Sequence, residues 1–253
     1  SRRIRMYKNL LIFFVLLHLL GDFYLQSDSI SGKKIFSYQY VVFHSVIYAA
    51  VFFAGALPIW SAQMAIVISA FSLLHFLIDS IKHHYLKHRR HTSESMIYVA
   101  DQSFHLLPLI IATLIFKYNN FHIAFMPGVK CFLNLFEDSG MAALKWICVI
   151  LIVCKPANVT IKKLLSKYKP GSKDESGDNT IKNVGAFIGT LERIIIVLLL
   201  SVNQYAAIGL VLTAKSVARY DKISKDPPFA EYYLLGTLLS TLFVILAYLL
   251  LCK

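Results

Sequence analysis

Apolar residues along the chain fall into blocks of roughly twenty, separated by shorter polar stretches. A helix of about 20 residues crosses a hydrocarbon core of about 30 Å, and in lipid the backbone must satisfy its own hydrogen bonds. The sequence therefore predicts an all-α fold, a polytopic membrane helix bundle of about eight transmembrane helices. These helices are predicted near residues 9–26, 39–57, 62–82, 96–117, 139–155, 183–202, 205–220 and 230–251.

Two segments interrupt this pattern. Residues 119–137 contain Pro127 and Gly128 and are predicted to lie at the membrane interface rather than to span. Residues 168–180 are rich in proline, glycine and charge, which is typical of an exposed linker. The linker is predicted to separate a five-helix section, 1–167, from a three-helix section, 181–253.

The composition supports a membrane protein. Hydrophobic residues make up 57% of the chain and charged residues only 16%, whereas about a quarter of a soluble protein is charged. The net charge of +12 suits a membrane surface better than nucleic acid, because no basic run is interleaved with stacking aromatic residues. Lysine and arginine concentrate in the connections after the first, third, fifth and seventh helices, which predicts that these connections are cytoplasmic.

Ionisable residues recur on four consecutive helices. Three of these helices carry a histidine and an aspartate four residues apart, which places both side chains on one helical face. Because consecutive helices alternate in direction, these residues are all predicted to lie towards one membrane face, and ionisable groups gathered inside a membrane indicate a functional site. This His/Asp cluster consists of His18, Asp22, His44, His75, Asp79, Asp101 and His105.

Imidazole and carboxylate groups together suit Zn²⁺, Mn²⁺ or Fe²⁺. Seven donors exceed the needs of one tetrahedral ion, but they fit two ions that share bridging carboxylates, as in other helical bundles. We therefore predict a divalent metal, zinc or manganese foremost, with one or two ions bound. The alternative is a metal-free network in which each aspartate accepts a hydrogen bond from the histidine of its own helix.

Two further polar sets accompany the cluster. The first set flanks the His/Asp cluster and is predicted to bind an anionic head group or phosphate. The alternative for its lysines is that they lie at helix ends and only extend their charged groups into water. This first set comprises Gln26, Lys33, Lys34, Lys82 and Gln102. The second set lies on the last three helices and is predicted to form structural ion pairs, with anion binding by Lys215 or Arg219 as the alternative. It comprises Glu192, Arg193, Lys215, Arg219 and Glu231. Nearby, Gly185 and Gly189 have the spacing of a close helix contact.

Several segments resemble a family of bacterial inner-membrane proteins known as domain of unknown function 3307. The resemblance rests on HLLGDFYLQSD, HFLIDSIK and DQSFH, with Lys33, Lys34 and His44, and on GAFIGTLERIIIVLL, AIGLVLTAKSVARY and EYYLLGTLLS. It implies a multi-pass protein of the bacterial inner (plasma) membrane and no particular reaction. A weaker similarity to other membrane proteins that carry histidine and aspartate favours a metal-dependent hydrolase.

These observations lead us to expect a metal-dependent membrane hydrolase. Its substrate would be a phosphate-containing, lipid-linked molecule at the cytoplasmic face, and the His/Asp cluster would supply metal ligands and their hydrogen-bonding partners. The general base is left open. One alternative is an ion- or proton-coupled transporter or channel that uses the same cluster. The other is a non-catalytic membrane component whose polar residues fix its assembly.

Overall fold

The computed structural model describes residues 2–88, 93–121, 123–128, 139–170 and 184–252. The described residues form helices and no strand, so the predicted all-α class is confirmed. Seven of these helices are long and apolar enough to cross a membrane, which supports a multi-pass membrane protein. The predicted span 205–220 is shorter in the structure than expected, because its helix covers only Tyr205–Val217, 13 residues. Such a helix rises about 20 Å, less than a hydrocarbon core of about 30 Å.

Eleven α-helices are numbered here in chain order, among the residues that the structure describes. They are α1 (Arg2–Leu19), α2 (Asp28–Lys33), α3 (Tyr38–Ala56), α4 (Ala62–His88), α5 (Glu94–Tyr118), α6 (Ser139–Val153), α7 (Lys155–Leu164), α8 (Val184–Ser201), α9 (Tyr205–Val217), α10 (Tyr220–Lys225) and α11 (Pro227–Cys252). A π-helix (Leu20–Tyr24) continues α1, and short 3₁₀ turns occupy Leu57–Ile59 and Ser166–Tyr168.

The chain divides into two compact units. The first contains Ser1–Thr92 and Met96–Cys148, and the second contains Ser93–Ser95 and Val149–Lys253. The predicted linker lies outside the described residues from position 171 onward, so a division at that linker stays a prediction. Position 122 and positions 129–137 of the predicted interfacial stretch also lie outside them.

The hydrophobic core of the first unit is built from one face of each of its four long helices. The buried side chains recur at steps of three or four residues, as expected for helices that bury a single stripe. They are Tyr7, Leu10, Phe14 and Leu17 of α1, Tyr48, Phe52 and Ala56 of α3, Met64, Ile68 and Phe71 of α4, and Leu109, Ala112 and Phe116 of α5.

The same stripes continue into polar residues at one end of this core. On α4, steps of four residues lead from Phe71 to His75 and on to Asp79, and all three side chains are buried. On α5, buried Asp101 and His105 precede the apolar part of the stripe. The sequence pattern that packs the core therefore also brings the polar side chains together.

The π-helix gives α1 a wider last turn that carries Asp22. Its Leu25 N–H donates to the Leu20 carbonyl over 2.8 Å, five residues back. Gly21 allows the ring of Tyr48 to approach, because a Cβ at Gly21 would lie 2.8 Å from Tyr48 Cδ2. A π-turn adds one residue to the helix and rotates the residues after it, and such turns are frequent at functional sites. Asp22 is the third residue of this π-helix.

Candidate metal centre

The His/Asp cluster gathers within the first unit. Six of its seven residues are at most 8% exposed, and the side chain of Asp22 is 10% exposed. The residues come from the π-helix and from α1, α3, α4 and α5, which alternate in direction and meet at one end of the core. The predicted convergence of these side chains is seen in the structure, whereas their role as metal ligands stays a prediction.

Asp22, His44 and His75 form a first group of potential ligands. Each offers one donor atom, and these atoms lie within 4.8 Å of one another. His44 Nε2 lies 3.2 Å from Asp22 Oδ1, and the ring centroids of His44 and His75 are 5.0 Å apart. Two imidazoles and one carboxylate are a ligand set that Zn²⁺ accepts, with a fourth position left for water or substrate.

His75, Asp79 and His105 form a second group with the same spacing limit of 4.8 Å. His75 Nε2 lies 3.5 Å from Asp79 Oδ2, and the rings of His75 and His105 have centroids 4.5 Å apart. Because His75 belongs to both groups, the donors form one connected cluster rather than two separate sites. His18 adjoins it, with its ring stacked 5.8 Å from that of His105.

The hydrogen bonds of His105 favour a role as a ligand. Its Nδ1 lies 2.8 Å from the backbone oxygen of Asp101, and since a carbonyl only accepts, Nδ1 must carry the hydrogen. The neutral ring then has a lone pair on Nε2, which is buried and has no hydrogen-bond partner among the described residues. Metal-bound histidines commonly donate their other N–H to a carbonyl in this way.

The hydrogen bonding of His75 also favours a role as a metal ligand. Both of its ring nitrogens are buried, and neither has a hydrogen-bond partner in the described part of the chain. A buried polar atom left unpaired costs about 1–3 kcal/mol. A neutral imidazole has one lone pair, and a cation bound to that nitrogen would relieve part of this cost.

The alternative of separate His–Asp pairs on each helix is not what the structure shows. Asp22 pairs with His44 of another helix. Asp79 and its own His75 are 3.5 Å apart, and Asp101 Oδ1 lies 3.8 Å from Nδ1 of its own His105. Both distances exceed the 2.7–3.2 Å of an ordinary hydrogen bond. The contacts that join the cluster run mainly between helices.

Two of the residues predicted to bind substrate are ion-paired within the cluster. Lys34 Nζ contacts Asp79 Oδ2 and lies 3.4 Å from Gln26 Oε1. Lys82 Nζ lies 2.7 Å from Asp101 Oδ2. The lysine side chains are 12% and 33% exposed, respectively. Each ammonium therefore neutralises one of the three clustered carboxylates.

The other residues of the predicted substrate set differ in position. Gln102 joins the cluster, since its Nε2 donates to Asp22 Oδ2 over 3.1 Å and lies 3.4 Å from Asp101 Oδ2. Lys33 does not, because it is exposed and its Nζ lies over the ring of Tyr40, 5.2 Å from the centroid. The sequence pattern alone does not show that Lys34 joins the cluster and Lys33 does not.

Tyr48 is a member of the site that the sequence reasoning missed. Its hydroxyl lies 3.2 Å from His18 Nδ1, and its ring stacks against His75 with centroids 3.6 Å apart. It comes four residues after His44 on α3, so it shares that histidine's face. This spacing was the available signal, but an aromatic residue in an apolar helix more often indicates core packing alone.

The second unit contains a separate polar network. Glu192 and Lys215 form an ion pair with an N···O distance of 2.6 Å, and Lys215 Nζ lies 3.4 Å from Thr237 Oγ1. This contact joins α8, α9 and α11, as the structural interpretation predicts. Arg219 and Glu231 are exposed, and neither forms an ion pair among the described residues.

Arg193 is buried and bonded to neutral groups. Its Nε donates to the Val153 carbonyl over 2.5 Å, and Nη2 donates to Asn158 Oδ1 over 2.5 Å. A Cβ at Gly189 would lie 3.2 Å from Arg193 Nη1, whereas a Cβ at Gly185 would meet no atom within 4 Å. Gly189 therefore leaves room for the guanidinium, and in the described residues Gly185 makes no close helix contact.

Comparison with known proteins gives a family but no reaction. Residues 10–132 match the family described as "Protein of unknown function (DUF3307)". The match identifies residues 10–132 as a DUF3307 domain. This domain includes all seven residues of the His/Asp cluster and ends before the carboxyl-terminal motifs, for which family resemblance stays an expectation. No curated protein and no solved structure matches the chain.

Proposed function

We propose that this DUF3307-domain protein is a metal-dependent hydrolase embedded in the bacterial inner membrane. Its substrate is a phosphate-containing, lipid-linked molecule that enters from the cytoplasmic face. One observation carries the proposal. Donor atoms of Asp22, His44 and His75 lie within 4.8 Å of one another, while both ring nitrogens of His75 are buried without a hydrogen-bond partner among the described residues.

The residues of the cluster have different roles in this proposal. Asp22, His44 and His75 would hold the ion, with His105 and Asp79 as the ligands of a second position. A bound Zn²⁺ or Mn²⁺ supplies polarisation of a phosphoryl oxygen and a water molecule that ionises near neutral pH. The ammonium groups of Lys34 and Lys82, which contact Asp79 and Asp101 of the cluster, would bind phosphate oxygens. A carboxylate that binds no metal takes the proton from water.

A second candidate function is favoured by the continuity of the polar contacts. They run from Lys34 through Asp79, His44, Asp22, Gln102 and Asp101 to Lys82, with no gap longer than 3.8 Å. A chain of carboxylate and imidazole groups inside a membrane is a feature of proton relays. An ion- or proton-coupled transporter is therefore the alternative to an enzyme.

Metal analysis of the purified protein tests the proposal. We expect about one or two Zn²⁺ or Mn²⁺ ions per chain after reconstitution, and loss of at least one ion in His75→Ala. His84→Ala is the matched control, because His84 lies on the same helix, is exposed, and packs against His88 at a ring distance of 4.3 Å. A wild-type protein that retains neither metal would overturn the enzyme proposal.

Two assays then separate enzyme from transporter. The loaded protein is incubated in micelles with phosphatidic acid or with a polyprenyl diphosphate, and release of inorganic phosphate is measured. We expect release that depends on metal and is lost in His75→Ala but kept in His84→Ala. Proton flux into liposomes that contain a pH-sensitive dye, without phosphate release from either lipid, would favour the transporter instead.

A further inference from the structure

The ammonium groups of Lys34 and Lys82 contact carboxylates of the cluster. Lys34 contacts Asp79, which is 3% exposed, and Lys82 lies 2.7 Å from Asp101. With neutral imidazoles, three carboxylates and two ammonium groups leave the cluster with one negative charge. Asp22 is the carboxylate without a lysine partner among the described residues, and it belongs to the first group of potential ligands.

Lys34 and a metal ion would compete for the same carboxylate, that of Asp79. Asp79 belongs to the second group of potential ligands, with His75 and His105, and it is also the partner of Lys34. An ammonium and a divalent cation repel each other at such short range, most strongly where water is excluded. A cation bound at Asp79 therefore displaces the Lys34 ammonium.

The surroundings of Lys34 allow its side chain to move without its backbone. Lys34 comes directly after the last residue of α2, and its carbonyl accepts a hydrogen bond from His83 Nδ1 of α4 over 2.7 Å. This contact anchors the main chain beside the cluster. The flexible four-carbon stem of a lysine can then carry the ammonium to a new partner nearby.

We propose that Lys34 alternates between Asp79 and a phosphate group, so that the site binds a phosphate anion only after a divalent cation has occupied Asp79. This inference rests on the proposed metal-dependent function and adds an order of binding to it. One divalent ion changes the net charge of the cluster from one negative to one positive. A buried positive charge requires a counter-ion, and a phosphate that accepts hydrogen bonds from Lys34 supplies it.

Calorimetric titration of the purified protein in detergent tests this order. Mn²⁺ is titrated alone, and inorganic phosphate or a short-chain phosphatidic acid is titrated with and without Mn²⁺. We expect wild-type protein to bind either phosphate probe only in the presence of Mn²⁺. Binding of both probes indicates that the phosphate group suffices, and binding of phosphatidic acid alone indicates that the lipid is also needed. Both results support the proposal.

Lys34→Gln is the decisive variant, with Lys33→Gln as its matched control. Removing the competing ammonium should strengthen Mn²⁺ binding about tenfold, and losing the charged donor should weaken phosphate binding about tenfold. Lys33→Gln should behave as wild type, because Lys33 is exposed and lies outside the cluster. Lys34→Arg should restore phosphate binding, since it keeps a charged donor.

The opposite signs of the two effects separate this role from a structural one, because a damaged fold would weaken both ligands. Phosphate binding by wild type without Mn²⁺, or a Lys34→Gln variant in which the two affinities do not move in opposite directions, would overturn the inference. In either case the proposed function stands as long as Mn²⁺ still binds and His75→Ala removes it. If wild-type protein binds no Mn²⁺ or Zn²⁺, both proposals fail.

Discussion

The imidazole ring of His75 lies flat against the phenol ring of Tyr48, with centroids 3.6 Å apart and planes inclined by 4°. The hydroxyl of the same tyrosine lies 3.2 Å from Nδ1 of His18. One side chain of α3 therefore orients a histidine of α4 and a histidine of α1. Because it contacts two members of the cluster, we assign Tyr48 as a positioning residue of the candidate metal centre.

Tyr48→Phe should keep the stacked ring and remove only the hydrogen bond to His18. The ring of His18 stacks on His105 of the second group of potential ligands, so the lost bond affects a ligand only indirectly. Partners that orient ligands typically contribute about 10–100-fold to metal affinity, and we expect a decrease of about tenfold. Metal affinity is measured by titration, with unfolding temperature in detergent as a check of the fold. Tyr118→Phe, at a side chain that is 88% exposed, is the control and should change neither quantity.

The gathering of the cluster could be predicted from the sequence, because helix alternation and i,i+4 spacing fix depth and face without coordinates. The pairing within it could not. Asp22 is hydrogen-bonded to His44 of another helix, and it lies on a π-helix that hydrophobic periodicity does not indicate. The long side chain of Lys34 reaches Asp79 from the end of another helix, and no periodicity reports such a contact.

The ends of the helices were also harder to predict from the sequence than the helices themselves. The apolar blocks placed the long helices correctly, to within a few residues at most ends, because hydrophobic length is visible in a sequence. The residue at which a helix ends depends on local backbone geometry, which hydrophobic length does not report. The apolar block near 205–220 ends as a helix at Val217, where Ala218 N–H is shared between two carbonyls of the last turn.

Gly21→Ala should disturb the site through Tyr48. A Cβ at this position would lie 2.8 Å from Tyr48 Cδ2, so either the ring or the π-turn must shift. We expect a loss of about 1–3 kcal/mol in the free energy of unfolding, the usual cost of overpacking, together with weaker metal binding. Gly32→Ala is the control, because a Cβ there would meet no atom within 4 Å. Equal stability of the two variants would show that Tyr48 has room to move.

The ion pair between Glu192 and Lys215 should matter for folding rather than for chemistry. Glu192 is 5% exposed, so Lys215→Met would leave a buried carboxylate without its partner. We expect a loss of about 3 kcal/mol in the free energy of unfolding in detergent, with partial recovery in the double variant Glu192→Gln/Lys215→Met. Glu231→Gln, at an exposed position, should have no effect. An unchanged stability in Lys215→Met would instead favour the anion-binding interpretation.

Asp22 and Asp101 should respond differently to the same substitution. Asp22 belongs to the group with His44 and His75, whereas Asp101 Oδ2 is paired with Lys82 and Asp101 is absent from both groups of potential ligands. We expect Asp22→Asn to lower metal affinity at least about a hundredfold, because a charged ligand is lost, and Asp101→Asn to lower it by about tenfold or less, because only a nearby charge changes. Metal content after dialysis and affinity by titration measure both effects.

The two variants are well matched, since each exchanges one carboxylate oxygen for an amide nitrogen. In Asp101→Asn the backbone carbonyl that accepts from His105 Nδ1 is retained, so the orientation of that ring should not change. If Asp101→Asn removes the metal as completely as Asp22→Asn does, then Asp101 must itself bind the ion, and its Oδ1, which is buried without a hydrogen-bond partner among the described residues, is the available atom. The centre would in that case draw on all three carboxylates of the cluster.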